Sequence, residues 1–190
     1  NRIKKHLKTI ISASVANNAL AQIKRTARFV LKDDPDINYL TDRIKPYVRL
    51  RMPDGGWVEW PQGVFILSTP PERTDSRGIV TREIEAYDQL QVLVDDKVDS
   101  RFTLMEGTRY TDNIKVILES AGITQYNVAR SESALPTTRD WDPGTSKLQI
   151  INDLLGAINY RSLFFDENGY AVALPYVSPV NRPSEYTYGN

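Results

Sequence analysis

Cysteine is absent from these 190 residues, and histidine occurs once, at His6. Without cysteine the chain can form no disulfide, thiolate nucleophile or zinc–sulfur centre of its own. With a single histidine it can form no Ser–His–Asp triad, Cys–His pair or H-E-x-x-H zinc motif. Phosphate-cradling glycine loops of the P-loop and dinucleotide types are missing, as is any S-x-x-K pair. Net charge is missing too. Lys plus Arg and Asp plus Glu stand at 24 each, with a pI near 6.8. Nothing therefore points to the basic excess of a sequence-specific nucleic-acid-binding face. No apolar run reaches the roughly 18 residues of a membrane span. The opening NRIKKHLKTII is basic and then apolar, but the apolar stretch is short and no A-x-A-like cleavage site follows soon after. The chain starts at Asn1 and ends Tyr188-Gly189-Asn190, which reads as part of a longer polypeptide.

What is present is mostly strand pattern. Residues 8–31 read as a long hairpin turning at Ala16-Asn17-Asn18-Ala19, where asparagine tolerates left-handed backbone. In the second arm Ala21, Ile23, Ala27, Phe29 and Leu31 share one face, interrupted by Arg25, and Gln22, Lys24, Thr26 and Arg28 share the other. Asp33-Asp34-Pro35-Asp36 ends that arm. From Pro46 to Met52, Tyr47, Arg49 and Arg51 alternate with Val48, Leu50 and Met52. Pro53-Asp54-Gly55-Gly56 is a turn, and Trp57 to Trp60 forms the return arm. After a bend at Pro61-Gln62-Gly63, Val64 to Thr69 continues as a strand as far as Pro70-Pro71. Asp75-Ser76-Arg77-Gly78 then turns into a strand from Ile79 to Tyr87. Strands at this spacing predict a twisted antiparallel sheet or small barrel.

The period changes after Asp88, whose carboxylate can cap a short helix over Gln89–Val94. A helix is predicted over Tyr110–Ala121, striped by Ile114, Ile117, Leu118 and Ala121 and ended by Gly122. Tyr126–Ala129 reads as a strand and Ser131–Gly144 as a polar loop. A helix follows over Ser146–Asn159, with Leu148, Ile151, Leu155 and Ile158 on one face. Asp166-Glu167-Asn168-Gly169 joins strands Ser162–Phe165 and Tyr170–Leu174. The fold class is thus α+β, mainly β: a barrel-like antiparallel domain over residues 1–98, then a smaller mixed helix–hairpin domain over 99–177. Residues 178–190 are a linker or the start of a further domain, since Ser178–Pro183 carries two prolines.

Enzymatic chemistry has one remaining route, a carboxylate pair across a groove. Glu59, Glu83 and Glu85 lie on predicted strands, and Trp57 or Trp60 could stack on a sugar ring. Solvent-facing strand positions, beside tryptophans that serve as packing, are the more common role for such residues. The acidic run Asp33, Asp34, Asp36 lacks the glycine and terminal glutamate of a calcium loop. No catalytic, cofactor or metal residue is assigned. On a flat strand Val58 and Trp60 face one way and Trp57 and Glu59 the other. Two readings stand side by side: one tryptophan in the core and the other at a domain or subunit boundary, or both packed within the domain.

The order of Arg43-Ile44-Lys45-Pro46-Tyr47-Val48-Arg49-Leu50, the Gly-Trp hairpin, Gly63-Val64-Phe65-Ile66-Leu67-Ser68 and Ile84-Glu85-Ala86-Tyr87-Asp88-Gln89-Leu90 resembles the tail-tip or baseplate hub proteins of tailed bacteriophages and prophages. The helix at Ser146-Lys147-Leu148-Gln149-Ile150-Ile151-Asn152-Asp153-Leu154-Leu155, followed by Asn159-Tyr160-Arg161 and the Phe165-Asp166-Glu167-Asn168-Gly169 turn, is similar to the same family. The resemblance implies a structural virion protein and no active site or cofactor. It implies a homotrimeric ring whose barrel domains continue the tail tube, next to distal tail, tail tube and tape-measure proteins. A downstream fibre or receptor-binding module is also implied. Its location would be the virion tail tip or baseplate, after synthesis in the bacterial cytoplasm. The competing readings are a tail-associated cell-wall hydrolase and a carbohydrate- or receptor-binding module.

Overall fold

The computed structural model describes residues 6–69, 72–74 and 78–183. The fold is mainly β with few helices, and its antiparallel sheet curls into a half-barrel. The chain divides into two units: residues 1–96 with 164–170, and residues 97–163 with 171–190. The return of 164–170 to the first unit has no signature in the sequence pattern. Pro70-Pro71, Asp75-Ser76-Arg77 and the last seven residues lie outside the described part.

In the first unit, β1 (Ile10–Asn17), β2 (Arg25–Lys32), β3 (Arg43–Ile44), β6 (Phe65–Leu67), β7 (Glu72–Thr74) and β8 (Val80–Asp88) form one sheet. A separate two-stranded ribbon is made by β4 (Tyr47–Arg51) and β5 (Trp57–Pro61). The sheet runs in the order β1-β2-β8-β6-β3, with β7 also on β8. Its ladder registers Phe29 on Ile84, Ala27 on Ala86 and Phe65 on Asp88. One face therefore gathers Ala27, Phe29, Leu31, Ile44, Phe65, Leu67, Ile84 and Ala86 into the core, with Leu7, Ile37 and Tyr39 packed against it. Phe29 and Phe65 meet edge to face at 6.2 Å between centroids, the geometry the ring quadrupole favours.

The predicted arm beginning at Ala21 starts four residues later. Asn18 accepts the Leu20 N–H on its side chain and donates its own N–H to the Lys24 carbonyl, so residues 18–24 become the turn. Such side-chain bonds compete with ladder pairing. The strand predicted over Val64–Thr69 is likewise trimmed to Phe65–Leu67.

α1 spans Leu90–Asp95, one residue later at each end than the predicted helix. The second unit is built on α2 (Tyr110–Ser120) and α3 (Lys147–Ala157). Their buried residues include Ile114, Ile117 and Leu118 on α2 and Leu148, Ile151, Leu154 and Leu155 on α3. Ser146 caps α3 by accepting the Gln149 N–H at 3.2 Å. β10 (Tyr126–Val128) lies parallel to β13 (Ala171–Ala173). β12 is Phe164–Phe165, and Pro179–Asn181 forms a short 3-10 turn.

Ser131–Gly144 is not the uninterrupted loop its polarity suggests. It contains β11 (Arg139–Trp141), paired antiparallel with β9 (Phe102–Leu104), and the buried side chains Leu135 and Trp141. Trp141 donates its indole N–H to Asp153 at 2.9 Å. A three-residue strand is too short for a period to announce it.

Two glycines make opposite demands on the backbone. Gly169 sits at φ +87°, where an added Cβ would lie 2.9 Å from Val64 Cγ2. Gly156 lies within α3, with nothing within 4 Å of where its Cβ would be. Gly169→Ala is therefore expected to destabilise by more than about 1 kcal/mol. Gly156→Ala should stabilise by roughly 0.5–1 kcal/mol through helix propensity. Urea denaturation of the two variants checks both signs.

Candidate functional site

The residues chosen from sequence as possible chemistry are dispersed and occupied. Glu59 pairs with Arg49 at 2.7 Å on the β4–β5 ribbon. Glu83 is held by Arg28 and by Arg73, the latter at 3.1 Å. Glu85 accepts the Tyr87 hydroxyl at 3.1 Å. Asp33 pairs with Arg82, which also binds Glu72 and lies 5.5 Å from the Tyr39 ring centroid. Asp34 closes a local turn by accepting the Asp36 N–H at 3.2 Å. His6 is exposed. Among the described residues, no group of three His, Asp or Glu side chains could hold a metal ion.

The ribbon is the larger surprise. Its register places Val48 opposite Trp60, and Leu50 opposite Val58. With Met52 these make an apolar face, and all five side chains are exposed. The other face carries Arg49 opposite Glu59 and Arg51 opposite Trp57. There Arg49 lies over the Trp57 ring at 5.0 Å. The Pro53–Gly56 turn is fixed by Asp54, which accepts the Gly56 N–H at 2.9 Å, and by Gly55 at φ +85°.

Neither ribbon tryptophan enters the core: Trp57 is 56% and Trp60 45% exposed. The expectation of one core tryptophan here is corrected, and the third, Trp141, takes that role at 8%. The reason is topological. β4 and β5 pair only with each other among the described strands, and the side chains on both faces of the ribbon stay exposed. The two indoles also point to opposite faces and cannot form a single stacking platform.

A second open apolar surface lies on β1. Val15 stands opposite Ala27, Ala13 opposite Phe29 and, past a bulge, Ile10 opposite Leu31. These three continue the core stripe of β2, yet all are exposed. Among the described residues nothing pairs with the outer edge of β1. Its sequence, IISASVAN, contains no charge and no proline, the usual devices that discourage an edge from recruiting another strand.

The most perturbed acid, Asp88, ends β8 and is 1% exposed. It accepts the N–H of Leu90 at 2.9 Å and that of Arg25 at 3.1 Å. Sequence reasoning anticipated the helix contact but not the tie to β2, which spans 63 positions. Burial pushes its pKa up to about 6, against the opposing pull of those two N–H groups and of the Arg25 and Lys24 charges.

No family model and no curated protein matches this chain. Solved structures do. The chain is similar to the tail protein from Neisseria meningitidis MC58 (TM-score 0.60, 14% identity), over 85% of this chain and 45% of that one. It is also similar to the 43 kDa tail protein of prophage MuSo2 from Shewanella oneidensis (TM-score 0.57, 13% identity), over 87% of this chain and 48% of that one. The chain thus has a fold found in tail proteins and spans about half the length of these two.

Because the folded pKa of Asp88 is raised, its contribution to stability is present below about pH 4 and declines as pH rises through about 6. Asp88→Asn removes this titration. The stability of the native chain relative to the variant should fall between pH 4 and pH 7 by on the order of 2 kcal/mol. Parallel denaturant titrations across that range supply the measurement, and a constant difference would contradict it.

Proposed function

We propose that this chain is a structural subunit of a phage or prophage tail, placed in the hub at the distal end, where it joins the tail tube to the tip or baseplate. The observation that carries the reading is the likeness of 85% of the chain to a tail protein of known structure, at TM-score 0.60. Its order of strands and helices supports the narrower hub assignment through the resemblance described above.

In this reading residues 1–98 act as the tube domain and 99–177 as a smaller bracing domain, with 178–190 leading onward. The subunit assembles as a homotrimer beside distal tail, tail tube and tape-measure proteins, and any fibre or receptor-binding module lies in the remainder of a longer chain. The role is non-enzymatic. Glu59 and Glu83 are each held in ion pairs and Glu85 takes a tyrosine hydroxyl bond. These contacts favour support over hydrolysis. The opposed faces of Trp57 and Trp60 weigh against a shared sugar platform.

Cryo-electron microscopy of the tail particle tests this. The chain is expected at the distal end with threefold symmetry. Sixfold placement, or occurrence only in a peripheral fibre, would remove the hub assignment.

A further inference from the structure

Asn168-Gly169 is the one Asn-Gly step in the sequence, and it lies in the segment 164–170 that returns to the first unit. Asp166 fixes the turn by accepting three backbone bonds. Its carbonyl takes the Gly169 N–H at 3.2 Å, and its carboxylate takes the N–H of Asn168 at 2.9 Å and of Tyr170 at 2.8 Å. Position 169 has to be glycine. It holds φ +87°, and a Cβ there would stand 2.9 Å from Val64 Cγ2 and 3.1 Å from Gln89 Nε2. The amide at 168 answers to a lighter demand: its side chain is exposed, and its oxygen accepts Lys45 Nζ at 2.9 Å. That ammonium also lies 5.6 Å from the centroid of the Tyr47 ring, which helps to hold it beside the turn.

We propose that Asn168 is a site of self-modification, at which the Gly169 nitrogen closes on the Asn168 side chain and Lys45 promotes the step by polarising the amide. The Gly169 nitrogen gives its proton to water and forms a bond to Asn168 Cγ. The Cγ–Nδ2 bond then breaks, and that nitrogen leaves as ammonia after taking a proton from water. Water adds to the resulting succinimide. Cleavage at Cγ leaves aspartate with the main chain unaltered. Cleavage at the main-chain carbonyl carbon leaves isoaspartate, with the chain running through Cβ and Cγ. No atom changes oxidation state, and water is the sole co-reactant.

The geometry supplies reasons for the reaction to run here. Glycine has no side chain to hinder the attacking nitrogen. Negative charge develops on Asn168 Oδ1 as the nitrogen adds, and Lys45 already donates to that oxygen. Asp166 and Glu167 make the turn otherwise acidic, so the ammonium supplies the charge that they oppose. The Gly169–Asp166 bond acts in the other direction by holding the nitrogen in the turn. At 3.2 Å it is the longest of the three bonds to Asp166 and hence the weakest. The products differ in effect. Aspartate turns the Lys45 contact into an ion pair, a stronger contact than the amide makes. Isoaspartate lengthens the main chain of a turn whose Gly169 is buried and whose Gly169 carbonyl accepts Gln89 at 3.1 Å.

The test incubates the native chain and Lys45→Met at mildly alkaline pH, each folded and in denaturant. Peptide mapping by mass spectrometry locates the amide-to-acid change, and labelling with an isoaspartyl methyltransferase separates the two products. In the folded native chain Asn168 should convert ahead of every other asparagine. Folded Lys45→Met should convert roughly two- to fivefold more slowly, the size that one solvent-exposed charge contact supports. Lys45→Ala takes its place if Lys45→Met loses its native circular dichroism. In denaturant, where the contact is gone, variant and native chain should react at one rate.

Three results would overturn the proposal. One is an intact Asn168 in the folded native chain after the denatured chain has converted. Another is a folded Lys45 variant that reacts as fast as the native chain or faster, since Lys45 would then be restraining the turn rather than activating the amide. The last is a rate difference that persists in denaturant.

Discussion

β8 is the strand on which the first unit depends. It is bonded to β2, β6 and β7, and its inward residues Ile84 and Ala86 sit at the centre of the core. Its last residue, Asp88, ties three parts of the chain at once, ending the strand, accepting the first amide of α1 and accepting the first amide of β2. A buried carboxylate with two backbone donors is stabilised where an unbonded one would be costly. The Arg25 side chain, which interrupts the apolar row of β2, adds a bond to the Gln62 carbonyl at 3.3 Å. That bond ties the base of the ribbon to the same corner. Nearby, Gln89 donates to the Gly169 carbonyl at 3.1 Å, which secures the returning turn at residues 164–170.

With its centre so fixed, the sheet is left unfinished at its margins. A half-barrel satisfies its inner strands and leaves the ends of the sheet unpaired, unlike a closed barrel. In this chain the apolar stripe does not stop where cover stops. It runs from β2 onto β1 with Val15, Ala13 and Ile10 in solvent. The ribbon repeats the pattern, with an apolar face that no described strand shields. Exposed apolar area of this regularity is what a protein carries when part of its burial is completed by a partner. An open, amphipathic sheet margin of this kind is consistent with the structural tail role proposed above.

The sequence made the alternating strands, both long helices and the glycine turns legible, because each rests on a local rule: period two, period 3.6, or positive φ. Ala27, Phe29 and Leu31 announced their face, as did Leu148, Ile151 and Leu155. The pattern could not say which apolar face would be covered. Val48–Leu50–Met52 and Ala27–Phe29–Leu31 alternate alike, yet one is in solvent and the other in the core. That difference depends on whether a layer packs against the strand, a non-local fact. For the same reason Trp141, in a stretch that looked like loop, proved to be the buried tryptophan. The bond between Asp88 and Arg25 left no local trace at all.

Amide hydrogen exchange of Asp88→Ala beside the native chain tests the central claim that the carboxylate ending β8 holds the first unit's corner together. The account predicts faster exchange at the starts of β2 and α1 in the variant, with α2 and α3 unchanged. Unchanged exchange at β2 and α1 would contradict it.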